Sequence, residues 1–578
     1  MYNIKTERRQ HVELTGAQIL MECLKEQGVD TIFGYPGGTI LDVYDTLGQT
    51  PEINHYLVSH EQGAAHAADG YARSTGKVGV CFATSGPGCT NLVTGIATAY
   101  MDSSPVVAIT CNVSENLLGK DSFQEVDITG ITMPITKWNY MVRNVSELAD
   151  VVREAFLVAR TGRPGPVLID IAKNVARQKY SYSYLPVSEH RRHGRLSALE
   201  EGREGGLRVP EVDESDVDIL VEMLQAAERP LLVCGGGVVR SRAHEEFNYF
   251  ANLVDAPVAI TLMGAGGFRG RDPLTTGMIG MHGSQASNMA VDNCDLLVAF
   301  GCRFSDRVAL KPSTFAKQAA IVQVDVDRSE INKNVKTTHH IIGDARRVLQ
   351  LLNERVQPLH HEEWKKYVFS FPTETEYDEG GDHLTPKQIS EVIARLCPSN
   401  TIVTTDVGQH QMWVAQHFHY DYPGQLVTSG GFGTMGFGLG AAIGAQVGNP
   451  GKRVIHVTGD GSFRMNCNEL ATEEHYGLPI ITFVYDNQTL GMVRQWQTLI
   501  YGQRYSATTL DRPPDWVKLA EAYGLGGSRV STVEELEAAL TEALACGHGY
   551  VIDCVIDKDE MVRPMVSGGN HITDFLAV

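Results

Sequence analysis

The sequence predicts an α/β chain of three doubly wound parallel-sheet domains. Three observations lead there. The chain has 578 residues, too many for one hydrophobic core when domains run to about 100–200 residues each. Short apolar runs bounded by glycine alternate with stretches of helical periodicity almost throughout. The apolar runs are continuous rather than alternating, as expected of parallel strands covered on both faces.

In chain order, "VDTIFGYPGG", "GVCFATSGPG", "PVVAITCN" and "PVLIDIAK" are strand candidates. Between them, "GAQILMECLKEQG" and "TNLVTGIATAYMD" have the period of helices, completing a βαβ rhythm. Two breaks divide the chain. Glu189 to Pro210 is charged and glycine-rich and reads as a linker, and Val356 to Pro386 reads as a second, longer connection. The expected domains are residues 1–185, 210–355 and 384–578.

Charge narrows the function classes. Lys and Arg number 49 against 69 Asp and Glu, a net charge of −20, which lacks the basic footprint of a nucleic-acid or anionic-membrane binder. The eleven cysteines are scattered, with no C-x-x-C and no zinc-type spacing. This pattern reads as reduced thiols in a cytoplasmic protein. The N-terminus has no apolar leader core and no run is long enough to span a membrane.

The segment from Arg453 to Trp496 carries the chemistry. Arg453–Thr458 and Pro479–Tyr485 are strand candidates, the first ending in Gly459-Asp460-Gly461 and the second followed by Asn487. A strand–helix–strand unit brings both ends to the sheet edge where α/β proteins bind ligands. A carboxylate and an amide oxygen are hard ligands suited to Mg²⁺, and glycines at a helix start admit a phosphate. Alone, G-D-G could be a plain strand-to-helix turn. Followed about 27 positions later by Asn after a second strand, it is the fingerprint of thiamine-diphosphate enzymes. Gly431, Gly433 and Gly436 form G-x-G-x-x-G, but no acidic residue closes a compact βαβ unit after them. They fit better as a loop beside the cofactor, with Met435 as apolar support.

Glu61 heads "EQGAAHAADGYARSTG", a run of small residues. Thiamine diphosphate needs a carboxylic acid at N1′ of its aminopyrimidine, in an apolar pocket where desolvation favours the neutral form. Glu61 has that character, although a first-turn glutamate complementing the helix dipole has the same appearance.

Over nearly its full length the chain resembles the catalytic subunits of the acetohydroxyacid synthase (acetolactate synthase) family. The matching segments include "GYPGGTILDVYD", "HEQGAAHAADGYAR", "DSFQEVDITGITMPITK", "GMIGMHGS", "GCRFSDRV", "TDVGQHQMW", "GDGSFRMN" and "YDNQTLGMVRQWQ". The resemblance implies pyrimidine-binding, central FAD-binding and diphosphate-binding domains in that order. It also implies decarboxylation of pyruvate on thiamine diphosphate and ligation of the hydroxyethyl carbanion to pyruvate or 2-ketobutyrate, in branched-chain amino acid synthesis.

Residue by residue, it implies that Glu61 activates the cofactor. Thr84, Pro87, Asn91, Val407, Gly408, Gln409, His410, Gly433, Met435, Gly459, Gly461, Ser462, Gly491 and Met492 surround it. Asp460, Asn487 and Thr489 hold Mg²⁺. Arg307 orients the acceptor carboxylate by its guanidinium fork, Trp496 walls the acceptor pocket, and Phe123, Gln124 and Lys173 line the entrance. Arg163, Gly235, Gly236, Gly237, Met281, His282, Gly283, Arg303, Asp325 and Asp344 would hold FAD, which the redox-neutral reaction leaves structural. Ser305 stands where an acid is commoner in the family, and Asp42 and Trp138 also depart from it. A homodimer or homotetramer is implied, with a separate regulatory small subunit as a further partner. A flavin-dependent pyruvate oxidase, or a thiamine-diphosphate ligase or acyltransferase acting on glyoxylate or sulfoacetaldehyde, shares this scaffold. The joint occurrence of Phe123, Gln124, Arg307 and Trp496 favours ligation over oxidation, and Glu61 argues against the glyoxylate enzyme, which dispenses with that acid.

Overall fold

The computed structural model describes residues 11–192, 210–375 and 383–576. It contains three six-stranded parallel sheets, as expected from the apolar runs. The first is ordered β3-β2-β4-β5-β7-β6, with β2 Thr31–Gly34, β3 Asn54–Leu57, β4 Gly79–Ala83, β5 Val106–Asn112, β6 Trp138–Val142 and β7 Val167–Ala172. A two-stranded antiparallel ribbon, β1 Val12–Thr15 with β8 Lys179–Tyr182, accompanies it. The second is ordered β11-β10-β9-β12-β13-β14, from β9 Pro230–Cys234, β10 Val258–Ile260, β11 Thr275–Met278, β12 Leu296–Phe300, β13 Ala320–Asp325 and β14 His339–Ile342. The third is ordered β16-β15-β17-β18-β20-β19, from β15 Ile402–Thr405, β16 Leu426–Thr428, β17 Val454–Gly459, β18 Ile481–Asp486, β19 Gly526–Val530 and β20 Tyr550–Val555.

The chain divides into two compact units. One takes the N-terminal part to Arg208 with Ile443–Gly448 and Asn468–Tyr476, and the other takes the rest. In the first unit, helices Gly16–Glu26 and Val145–Arg160 share a core with one face of the sheet. Helix Glu61–Thr75 packs on β4 beside helix Val93–Met101. Its small residues serve this packing: a methyl on Gly95 or Gly79 would overlap Ala65 or Ala68.

In the second unit the central sheet has a buried apolar cluster on each face, the covering that its unalternating strands require. The stretch Val356 to Pro386 is more than a connection. Within it, helix Glu362–Val368 buries Trp364 and Val368 in the central core, and the Trp364 indole donates to the Pro230 carbonyl at 2.9 Å. Most of the Glu189–Pro210 linker lies outside the described residues. All eleven cysteines are free thiols, and no helix among the described residues is long and apolar enough to cross a membrane.

Candidate active site

Many of the candidate residues stand where a strand of one of these sheets gives way to a loop or helix. In the third sheet the strand order reverses between β15 and β17, the point where open α/β sheets take their ligands. Gly408 follows β15, Asp460 begins helix Asp460–Asn466 directly after β17, and Asn487 follows β18. His410 is buried between the two glycine turns: a side chain on Gly408 or Gly459 would run into its imidazole. Burial depresses the His410 pKa to about 4, and its Nε2 has no hydrogen-bond partner among the described residues. The ring is therefore neutral at pH 7, with one nitrogen uncommitted.

Asp460 is 1% exposed. One oxygen accepts the Gly461 N–H at 2.9 Å, whereas Oδ2 has no partner among the described residues. Burial first, then the negative charge of Asp486, push its pKa up to about 7. A buried carboxyl with an orphaned oxygen and a like charge nearby fits a site built for a cation. No group of three or more His, Cys, Asp or Glu among the described residues could hold a metal. The mixed set of one carboxylate, the Asn487 amide and the Thr489 carbonyl is of another kind, and suits a small hard ion. The Asn487 oxygen also accepts the Thr489 N–H at 3.2 Å, which ties these two together.

Two supporting residues, Gln495 and Asp406, lie in family-like segments, but the sequence gives them no role. Gln495 accepts from the Gln409 amide at 2.9 Å and exchanges two 3.0 Å bonds with the Val562 backbone. The Asn487 amide reaches Gln409 at 3.4 Å. Asp406 accepts the Gly438 N–H and the Thr458 hydroxyl, both at 2.6 Å, and lies 3.5 Å from His456. Burial lifts its carboxyl, but these partners outweigh it and hold the pKa down to about 2. Asp406 thereby anchors the start of helix Phe437–Gly448 and the glycine loop before it. In that loop Gly436 has φ 81°, a left-handed conformation that only glycine adopts freely. Its N–H bonds Ser462 at 3.0 Å, and Met435 beside it is half-buried. Gly433 lies in the same loop, Gly491 packs under Gln409, and Met492 lies against the core of the third sheet.

The central sheet reverses order between β9 and β12. Gly235 and Gly237 after β9 lie backbone to backbone with Gly301 after β12, an approach that any side chain would block. Asp325 ends β13 and accepts the Asp327 N–H, and Asp344 caps helix Ala345–Arg355. The buried His282 Nδ1 has no partner among the described residues, while its carbonyl takes the Gln416 amide at 2.9 Å. A glycine-lined switch point with acids at the neighbouring strand ends fits a dinucleotide such as FAD. Arg303 stands near it, its carbonyl bonded to Asn334. The Arg307 backbone is fixed by the Met281 N–H at 2.9 Å, while its side chain is exposed and, among the described residues, pairs with adjacent Asp306. Trp496 packs against the cluster that contains Met281 and Val308, which brings it to the Arg307 segment. A separate cavity of ≈ 480 Å³, lined in part by Thr261, Met278, Gln416 and Arg563, contains none of the candidate residues.

In the first unit Glu61 is the first residue of its helix and is buried. The Asn91 amide donates to its Oε2 at 2.9 Å, and Gly88 leaves room beside Oε1. Pro87 opens the short helix Pro87–Asn91. Gln124, at φ 58°, lies against Gly86, and its neighbour Phe123 is 87% exposed. Thr84 bonds Thr39 at 2.9 Å, Lys173 reaches the Gly38 carbonyl at 2.9 Å, and Arg163 reaches Ser103 at 2.7 Å. Glu61, Pro87, Asn91 and Gln124 thus lie around one short helix. The departure at Asp42 is matched by an ion pair with Arg177 at 2.9 Å.

The chain matches three thiamine pyrophosphate enzyme families: the N-terminal TPP binding domain over residues 14–131, the central domain over 217–352 and the C-terminal TPP binding domain over 406–554. It is 43% identical to the acetolactate synthase isozyme 2 large subunit of Escherichia coli (strain K12), over 97% of this chain and 99% of that one. It is also 43% identical to the acetolactate synthase of Arthrospira platensis, over 98% of both. A third relative is the acetolactate synthase large subunit of Parasynechococcus marenigrum, 43% identical over 96% of this chain and 90% of that one.

Proposed function

Because the chain belongs to the acetolactate synthase large-subunit family of thiamine pyrophosphate enzymes, we propose that it joins two molecules of pyruvate, with loss of carbon dioxide, into 2-acetolactate. By the same route it joins pyruvate to 2-ketobutyrate, giving 2-aceto-2-hydroxybutyrate. Thiamine diphosphate, when bound, supplies the carbon nucleophile that takes up the two-carbon unit of pyruvate. Asp460, Asn487 and the Thr489 carbonyl would hold Mg²⁺, with Gly408, Gly459 and His410 lining the place for the diphosphate. The single observation that best supports this role is the buried Asp460 with its orphaned oxygen.

Glu61 holds a proton at N1′ of the aminopyrimidine, and Asn91 keeps its carboxyl in place. Arg307 receives the carboxylate of the acceptor acid, and its loose pairing with an exposed neighbour leaves the guanidinium available. Trp496 forms the apolar wall that favours an ethyl over a methyl group, and Phe123, Gln124 and Lys173 line the approach. The glycines after β9 and the acids Asp325 and Asp344 hold FAD. The protein works as a homodimer or larger homo-oligomer in the cytoplasm, and the "large subunit" names of its relatives support a separate small subunit.

The test is to supply pyruvate, thiamine diphosphate, Mg²⁺ and FAD and analyse the products. Acetolactate supports the assignment, whereas acetate with peroxide overturns it in favour of an oxidase. In the same assay Glu61→Gln should fold and bind Mg²⁺ yet lose most turnover, and unchanged turnover would remove Glu61 from its role.

A further inference from the structure

The segment Asn468–Tyr476 begins eight residues after Asp460 and packs within the first unit. There it grips the chain leading to Glu61 at successive residues. The Tyr476 hydroxyl accepts the Leu57 N–H at 2.6 Å, and its ring lies 4.8 Å from that of Tyr56. The Ser59 hydroxyl donates to the Asn468 carbonyl at 2.9 Å. Glu469 is at the centre: Oε2 accepts the Ser59 N–H at 3.1 Å and Oε1 the His60 N–H at 3.0 Å. The Thr472 hydroxyl donates to the same carboxylate at 2.6 Å.

Glu469 is 1% exposed, and a carboxylate removed from water must find donors. It finds them on the two backbone groups immediately before Glu61. The first turn of a helix leaves N–H groups without partners in the helix itself. His60, the N-cap, serves Gln62 with its ring at 3.1 Å, and Glu469 takes the amides of Ser59 and His60. Gly63, one turn further on, completes the fit, because a methyl group there would overlap Glu469 Oε1.

We propose that Glu469 is a positioning residue for the reaction. By holding the Ser59 and His60 amides it fixes the start of the helix on which Glu61 stands. It also ties that acid to the segment following the candidate cation ligand Asp460. The proposal rests on Glu61 being the activating acid.

The test uses the full-length protein with Glu469→Gln and, independently, Gly63→Ala. An amide at 469 can accept from only one of the two N–H groups and turns a donor toward the other. In the cofactor-free protein, hydrogen exchange at Ser59 and His60 should speed up roughly tenfold or more, with the β4 amides Gly79–Ala83 unchanged. In the holoenzyme, kcat for acetolactate should fall roughly tenfold, with KM for pyruvate held within about twofold, because the acid is displaced rather than the substrate site. Gly63→Ala should reproduce both changes with the carboxylate intact. Unchanged exchange in Glu469→Gln overturns the proposal whatever the activity. Faster exchange with wild-type kcat also overturns it when Glu61→Gln is inactive. If Glu61→Gln is active as well, the role of Glu61 falls first and the proposal falls with it.

Discussion

Replacing Asp460 with Asn should stabilise the cofactor-free protein while abolishing its response to Mg²⁺. Burial and Asp486 raise this carboxyl from 3.8 to about 7 in the folded chain. Between those values the unfolded chain releases the proton and the folded chain keeps it. Stability therefore falls as pH rises through that window and levels off above it. At about 1.4 kcal/mol per pH unit, the loss approaches about 4 kcal/mol by roughly pH 8. An amide has no proton to lose and escapes the penalty. The assay is urea denaturation of both proteins in a chelator, without cofactor, from about pH 4 to pH 8. The variant should gain on the wild type across the window, by up to about 4 kcal/mol. With Mg²⁺ and thiamine diphosphate added, the wild type should gain stability by mass action and the variant should not. A variant that gains nothing at high pH, or that still responds to Mg²⁺, would refute the reasoning that Asp460 is a strained cation ligand.

Asp170 gives a second, independent pH effect. Its carboxyl is buried within β7, accepts from Thr110 at 2.7 Å and Asn112 at 2.8 Å, and burial still lifts its pKa to about 6. By the same sign, the wild type should lose about 3 kcal/mol relative to Asp170→Asn as pH rises from about 3 to 7, with no further change above. A flat difference between the two denaturation profiles would exclude it. At Trp496, replacement by Leu should lower the preference for 2-ketobutyrate over pyruvate roughly tenfold, since one methylene in an apolar pocket is worth about 1–3 kcal/mol. A competition assay that returns the wild-type product ratio would remove Trp496 from the acceptor wall.

The residues that were easiest to find from sequence stand at strand ends. Asp460 and Asn487 each follow a continuous apolar run, so the sheet carries them to its binding edge. Glu61 drew attention as a charge among small residues. Glu469, Asp406 and Gln495 show no sign of their task, although the last two lie in family-like segments. Each acts through backbone groups or another side chain far away in sequence, and a polar residue in a polar stretch has no period or spacing to mark that task. The helix Glu362–Val368 is hard to read from sequence for another reason. Its charges suggested a connection, although Trp364 and Val368, four apart, are the apolar pair that seats it on the central core. Gly431, Gly433 and Gly436 match G-x-G-x-x-G, but the missing closing acid rules against a dinucleotide turn, and the glycine turn at a strand-order reversal of Rossmann type is the one at Gly235–Gly237.

The first and third sheets have the same strand order when each is counted from its own first strand, and the central sheet has another. That identity argues for descent from one ancestral module that was doubled, with the copies then dividing the labour. After the second strand, one copy carries the helix headed by Glu61 and the other the helix Phe437–Gly448. After the third, one carries Pro87 and the other Asp460. At the fourth, Asn112 in one copy bonds Asp170 and the Val126 carbonyl, while Asn487 in the other stands beside Asp460 as a candidate ligand. The enzyme thus contains its own reference. At each of these three positions, one edge holds the counterpart of a residue that the other edge has turned to a different task.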